Sequence, residues 1–397
     1  MFSFLPKLHP NVWLLTAAQS FIGAIGPIIV FVGGFIGIKL APNETLATLP
    51  VAFMIIGIAC FMMPVVKLLS KIGRKAGFIA AVIWGIINSL FIIYTLKIES
   101  FELFCFGIFL YGFLIASVQQ FRFAAMESVT PEKGGQAVSV LLLAGLVAAF
   151  LGPEIAYLGK DWLSIDYAGS FAGLAILLMI SLLFLAFFQS TESQTESVSD
   201  RGRPLNEIIK RPIFIAALLS ATVAFSIMAF IMTATPISMH VHSGFDLAET
   251  KWVIQSHIIA MYLPSFFTGK LISKFGHHKV LFAGISAFLV CILVGFAGQH
   301  YLHYWSALVL LGIGWNFMFV AATALLPQSY EPNERFKVQG FNDLVMFSCQ
   351  AIASLGAGWV IKTLGWNVML AMCIPLLLLA AIAIIHWRRT FLKQQLI

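Results

Sequence analysis

The sequence predicts an all-α polytopic membrane protein, with twelve transmembrane helices in two pseudo-symmetric six-helix halves. Three observations predict it. Residues 8–38, 45–66, 76–96, 103–121, 134–153, 167–191, 212–245, 252–269, 280–330, 344–361 and 363–387 contain no Asp, Glu, Lys or Arg. Hydrophobic residues make up 60% of the chain and charged residues 10%, against about 25% charged in soluble domains. The basic residues, finally, fall mostly on alternate sides of the charge-free stretches.

About 20 apolar residues carry a helix across a hydrocarbon core roughly 30 Å thick, so each stretch is a span. The stretch 280–330 is long enough for two, with His300 to Tyr304 as the polar turn, which makes twelve. Membrane β-strands are shorter and alternate in polarity; backbone groups in lipid must pair internally, which leaves helices. The first stretch is too long for a cleavable signal peptide. Cys60, Cys105, Cys291, Cys349 and Cys373 are far apart and all within spans. They read as small buried residues rather than disulfides or metal ligands.

The net charge of +7 reflects sidedness rather than an affinity for nucleic acid. Of the 24 Lys and Arg, only Lys39, Lys97, Lys160, Lys251 and Lys362 fall outside if the N-terminus is inside. This bias places both termini in the cytoplasm. Trp366 and Trp387 bracket the last span as an aromatic belt would.

The chain also repeats itself. Ser70-Lys71-Ile72-Gly73, after the second span, recurs as Ser273-Lys274-Phe275-Gly276 after the eighth. Ser128-Val129-Thr130-Pro131 matches Ser329-Tyr330-Glu331-Pro332 in Ser and Pro, at nearly the same offset. A duplicated six-helix unit follows, with halves at 1–188 and 212–397 and a polar cytoplasmic linker at 189–211.

Twelve spans in two halves resemble the major facilitator superfamily. Its members carry G-x-x-x-D-R-x-G-R-R after the second span; here the loop runs from Val66 through Ser70, Gly73 and Arg74 to Lys75. The second copy begins at Gly269 and continues through Ser273 and Gly276 to His278. Ser70 and Ser273 stand where the family has Asp. The resemblance implies gating roles for these loops, with serine caps but without the usual charge lock. Gly152-Pro153 is similar to the family's antiporter signature, yet Ala148, Ala156 and Tyr157 replace its other glycines, so antiport is not implied. Met232-Thr233-Ala234-Thr235-Pro236, Gln255-Ser256-His257 and Met261-Tyr262-Leu263-Pro264 are similar to a bacterial subgroup that includes riboflavin transporters. Val338-Gln339-Gly340-Phe341-Asn342-Asp343 fits the same subgroup.

Polar groups inside spans are costly and usually functional. Glu154 lies about 27 Å along the helix from Gln136 at 1.5 Å per residue. Buried, its carboxyl would hold a raised pKa and carry a proton; at the outer mouth it would simply be wet. His257 is the second proton-coupling candidate, against a packing role. Gln119 and Arg122 share a helix face, and the guanidinium would bind an anionic or carbonyl-rich solute, or else snorkel to headgroups. Gln19, Asn316 and Gln350 would line a solute cavity near the midplane, or bond helix to helix. Asp343, near the start of the eleventh span, suits a gate or a helix cap. His240 with His242, and His277 with His278, lack the further ligands of a metal site.

No G-x-x-x-x-G-K-[ST] loop, H-E-x-x-H or nucleophile elbow occurs within the spans, which argues against ATP-driven transport and intramembrane hydrolysis. The reading is a secondary active transporter, not an enzyme, using alternating access and no cofactor. Its partners are protons, the lipid bilayer and a small organic solute, a flavin-like nutrient taken up by symport, with the chain a monomer. Drug or metabolite efflux by proton antiport is the alternative. A membrane sensor is the rival class, and it would need an output domain larger than the linker.

Overall fold

The computed structural model describes residues 8–42, 46, 49–190, 202–236, 238–239 and 243–395. Helices account for all the regular structure among them. In the N-terminal half, α1 (Pro10–Ile22) and α2 (Ile25–Leu40) make the first span, and α3 (Leu49–Ile72) and α4 (Arg74–Lys97) the next two. The fourth is α5 (Phe101–Gln119) with α6 (Phe121–Glu127), the fifth α7 (Gly134–Leu142) with α8 (Ala144–Gly159), and the sixth α9 (Ala168–Phe187).

A single turn, α10 (Leu205–Ile208), precedes α11 (Pro212–Pro236). The eighth span is α12 (Leu247–Tyr262) with α13 (Ser265–Phe275), followed by α14 (His277–Ala297), α15 (Tyr301–Leu325), α16 (Arg335–Thr363) and α17 (Gly365–Gln395). Eleven of the predicted spans are long and apolar enough to cross a membrane as they stand. The remaining one, 252–269, is interrupted at Leu263–Pro264, because proline has no N–H to continue the helix.

The chain divides into two compact units. One comprises Pro6–Thr130 and Val140–Thr195; the other includes Pro131–Ser139 and Glu196–Ile397. Glycines set the helix crossings inside each. In the first, a Cβ on Gly112 would sit 2.2 Å from the Gly57 carbonyl carbon, so α3 and α5 meet backbone to backbone. In the second, a Cβ on Gly312 would lie 2.7 Å from the His257 carbonyl oxygen, so α15 rides on α12 in the same way.

The repeat is visible in the backbone. Gly73 (φ 80, ψ 161) and Gly276 (φ 81, ψ 159) adopt one conformation, between α3 and α4 and between α13 and α14. Short 3₁₀ turns at Pro131–Lys133 and Pro332–Glu334 lead into α7 and α16. Some expectations fail. Trp366 and Trp387 are buried rather than exposed as a belt, Trp366 against Tyr304 at 5.2 Å between ring centroids. Cys60 is exposed, unlike the buried Cys105, Cys291 and Cys373. His240, His242 and most of the polar linker lie outside the described residues.

Candidate functional site

In the N-terminal unit the expected solute-binding groups sit around two breaks, one just before Pro27 and one at Gln120 with no proline beside it. The carbonyl of Gln19 accepts the Gly23 amide at 2.8 Å, one turn before α1 gives way to α2. Its side-chain Oε1 is buried with no hydrogen-bond partner among the described residues, an expense that a ligand donor would relieve. Gln119 is half-buried at the end of α5. Arg122, the second residue of α6, is 4% exposed and lies over the Phe123 ring at 4.7 Å. It therefore does not snorkel outward.

Glu154 is exposed on α8 and shares its face with the exposed Phe150, Tyr157 and Leu158. The expected burial within the unit is not met; the carboxyl stands in an otherwise apolar exposed stripe. One residue pair earlier, Gly152 serves packing: a Cβ there would be 2.6 Å from Pro27 Cβ and 3.0 Å from the Ala24 carbonyl oxygen. The Gly-Pro pair thus lets α8 lie against the α1–α2 break.

The loops depart from the resemblance in two ways. Ser70 lies within α3 and donates to the Lys67 carbonyl at 2.9 Å; the N-cap of α4 is Gly73, with no side-chain cap. Ser273 likewise caps nothing, since the N-cap of α14 is Gly276. The usual acid is absent at Ser70, and a charge pair is built elsewhere. Arg74, 2% exposed, donates Nε and Nη2 to Glu127 of α6 at 2.7 and 2.6 Å.

In the C-terminal unit, Ser273 meets the segment leading into α7. Its hydroxyl donates to the Gly269 carbonyl at 3.1 Å and the Glu132 carbonyl at 3.4 Å, and it accepts from Gln136 Nε2 at 3.5 Å. Gly269 permits the approach, because a Cβ there would sit 2.6 Å from Gln136 Cα.

Asn316 is committed to structure. Its Nδ2 donates to the Met261 carbonyl at 2.7 Å and to Ser265 Oγ at 2.6 Å, while Oδ1 accepts from Thr268 at 2.7 Å. These bonds satisfy backbone and side chains at the Pro264 break. Two turns earlier on α15, the Leu308 carbonyl meets His257 Nδ1 at 2.8 Å. Leu308, Gly312 and Asn316 form one seam along α12 and α13. His257 is fully buried at one end of it, its Nε2 without a hydrogen-bond partner among the described residues. Asp343 is buried inside α16, which starts eight residues earlier at Arg335, so it caps no helix.

Gln350 is half-buried on α16, one turn before Ser354, whose hydroxyl is 3.1 Å from that of Thr233 on α11. Beside these polar groups is an aromatic set the sequence did not single out. Phe225 packs against Trp315, Phe319 and Phe347 at 5.2, 4.9 and 5.5 Å, and Tyr262 lies 6.0 Å from Trp315. Trp315 Nε1 is buried without a hydrogen-bond partner among the described residues. Four separate helices supply these rings, so no local spacing announces them; only Tyr262 fell within a motif.

The linker is held as well. Glu334, with no exposed surface, accepts from Arg203 Nη2 at 2.6 Å, Nε at 2.9 Å and the Arg203 amide at 2.7 Å. That bond to Glu334 raises the Arg203 pKa further above its already high value.

The model of the Major Facilitator Superfamily matches residues 12–240 and 218–394. The chain is 34% identical over 378 residues to the riboflavin transporter RfnT of Brucella anthropi, covering 94% of this chain and 95% of that one. Among solved structures, the human organic anion transporter MFSD10 superposes with a TM-score of 0.77 at 12% identity, covering 96% of this chain and 100% of that one. The fucose:proton symporter of E. coli superposes with a TM-score of 0.70 at 14% identity, covering 93% and 97%. At such identities these two share the fold alone.

Proposed function

This chain belongs to the Major Facilitator Superfamily, and we propose that it takes up a flavin or similar flat heteroaromatic nutrient by proton symport. It is a multi-pass membrane transporter rather than an enzyme. The observation that carries the substrate is the nearly full-length identity to a riboflavin transporter. Tyr262, half-buried and backed by Trp315, supports it, because a flat conjugated solute stacks on such a ring. Gln19, Gln119 and Gln350 would read the hydrogen-bonding edge of the solute, and Arg122 its carbonyl or anionic groups. Asn316 leaves this set, since its polar atoms are taken. Glu154 is the proposed proton carrier, with His257 second, and Ser273, Gly276, Gly73, Arg74 and Asp343 govern alternating access. The chain acts as a monomer in the bacterial inner membrane with both termini cytoplasmic.

The test is riboflavin uptake by liposomes containing the purified protein. An inward proton gradient should drive saturable accumulation, and a protonophore should abolish it. Expulsion of solute against an inward proton flow would replace symport by antiport. Absence of any saturable flux with riboflavin, alongside flux of another solute class, would remove the flavin.

A further inference from the structure

A cleft of ≈ 180 Å³ opens at the end of the N-terminal unit opposite the Arg74–Glu127 pair. The end of α2, the α4–α5 turn and the α8–α9 turn form its walls. Lys39, Lys97, Glu99, Asp166 and Tyr167 line it, two cations facing two carboxylates. Lys39 Nζ lies 2.6 Å from Asp166 Oδ2. Lys97 makes no ion pair among the described residues.

Two walls of this cleft are strained. Glu99 (φ 53) and Tyr167 (φ 62) are the non-glycine residues with left-handed backbone among those described, and both line it. Glu99 holds the place after a helix where glycine is favoured: its amide donates to the Leu96 carbonyl at 3.2 Å and the Ser100 amide to the Thr95 carbonyl at 3.1 Å. Glycine would close this turn without strain, but would remove the carboxylate from the wall. Side chains held in such backbone regions cluster at ligand sites.

The surrounding surface points to the ligand's source. Tyr94, Ile98, Tyr157, Trp162 and Leu163, next in sequence to the cleft or one to two turns from it, are all exposed. Exposed Tyr and Trp beside apolar residues mark the level where hydrocarbon meets headgroups. The charged cleft therefore opens at headgroup depth.

We propose that this cleft binds a phosphoethanolamine group, a phosphate joined to a primary ammonium, presented by a membrane phospholipid. Lys97 receives the phosphate, while Glu99 and Asp166 accept N–H bonds from the ammonium. A purely anionic headgroup would leave both carboxylates facing negative charge. A quaternary ammonium has no N–H to donate.

Native mass spectrometry of the purified protein tests this, with phosphatidylethanolamine, phosphatidylcholine and phosphatidylglycerol of equal chain length, and soluble phosphoethanolamine as a separate arm. Phosphatidylethanolamine should be retained in preference to the other two lipids. Glu99→Gly and Lys97→Gln should each weaken that retention about tenfold. Glu99→Gly relieves the backbone, so its melting temperature should be no lower than the parent's, which separates a lost ligand from a lost fold. Soluble phosphoethanolamine bound as tightly as the lipid, and lost in the same variants, would support the chemistry with a free solute as its source. Equal retention of the three lipids, or retention unchanged in both variants, would overturn the site.

Discussion

Arg74 and Glu127 form two hydrogen bonds, at 2.7 and 2.6 Å, that tie the first residue of α4 to the last of α6. The acid expected within the loop at Ser70 is supplied from another helix instead. Among the described residues the C-terminal unit has no such pair at the matching place: there the ring of His277 bonds the Ala324 carbonyl. The charge pair is thus an asymmetry laid over a repeated backbone.

Glu127→Gln keeps the shape of that contact and removes its charge. A buried guanidinium losing a charged partner costs about 1–3 kcal/mol, so the melting temperature should drop. Transport should slow while solute affinity stays within about twofold, as measured by uptake and by titration of the purified protein. Arg74→Lys should not behave like the parent, because lysine cannot present the forked pair of donors. Parental stability and rate in both variants would dismiss the pair as decoration.

Asn316→Ala should behave as a lost brace. It leaves the Met261 carbonyl and two hydroxyls short of partners at the Pro264 break, at about 1–3 kcal/mol for an unsatisfied buried group. Thermal stability should fall, and the fraction still folded should bind solute normally. A tenfold weaker affinity at parental stability would return Asn316 to the binding site.

Gly73→Ala and Gly276→Ala probe the two matched turns. Their shared backbone, near φ 80 and ψ 160, belongs to a region essentially reserved for glycine, where other residues pay about 1–3 kcal/mol. Each variant should slow transport with little change in solute affinity. Binding lost together with transport would mean that these turns are needed for the site or the fold, and not for gating.

The spans were legible because a bilayer tolerates so few charges, and the repeat because a four-residue pattern survived twice. The helix breaks were not. Pro264 could be read as a breaker, but nothing in the sequence around Gln120 marks the turn from α5 to α6, since neither proline nor glycine stands there. The partner of Arg74 lies 53 residues away and those of Asn316 48 to 55 away. Whether a buried amide serves a solute or a neighbouring carbonyl depends on which helix crosses it. That is settled by Gly312, whose missing Cβ lets α15 close on α12, and no single-span pattern reveals it.

Topology has a direct check. In a background without the five native cysteines, single cysteines at Ser199 and Gln394 should react with impermeant reagents only from the cytoplasmic face. Labelling of either from outside intact cells would reverse the orientation drawn from the charge bias.

Glu154→Gln isolates protonation from shape, because the amide keeps the size and hydrogen-bonding capacity of the acid but cannot ionise. The side chain stands among Phe150, Tyr157 and Leu158 on an exposed face of α8, a setting in which gaining and losing a proton changes the cost of covering that face. If Glu154 carries the coupling proton, accumulation driven by a pH gradient should fall sharply in the variant. Exchange of labelled for unlabelled solute with no gradient should survive, since it needs no net proton movement. Loss of both activities with normal folding would mean that Glu154 serves the cycle other than by carrying a proton. Undiminished gradient-driven accumulation would remove it from the mechanism, and His257→Gln would then be tried in the same assay.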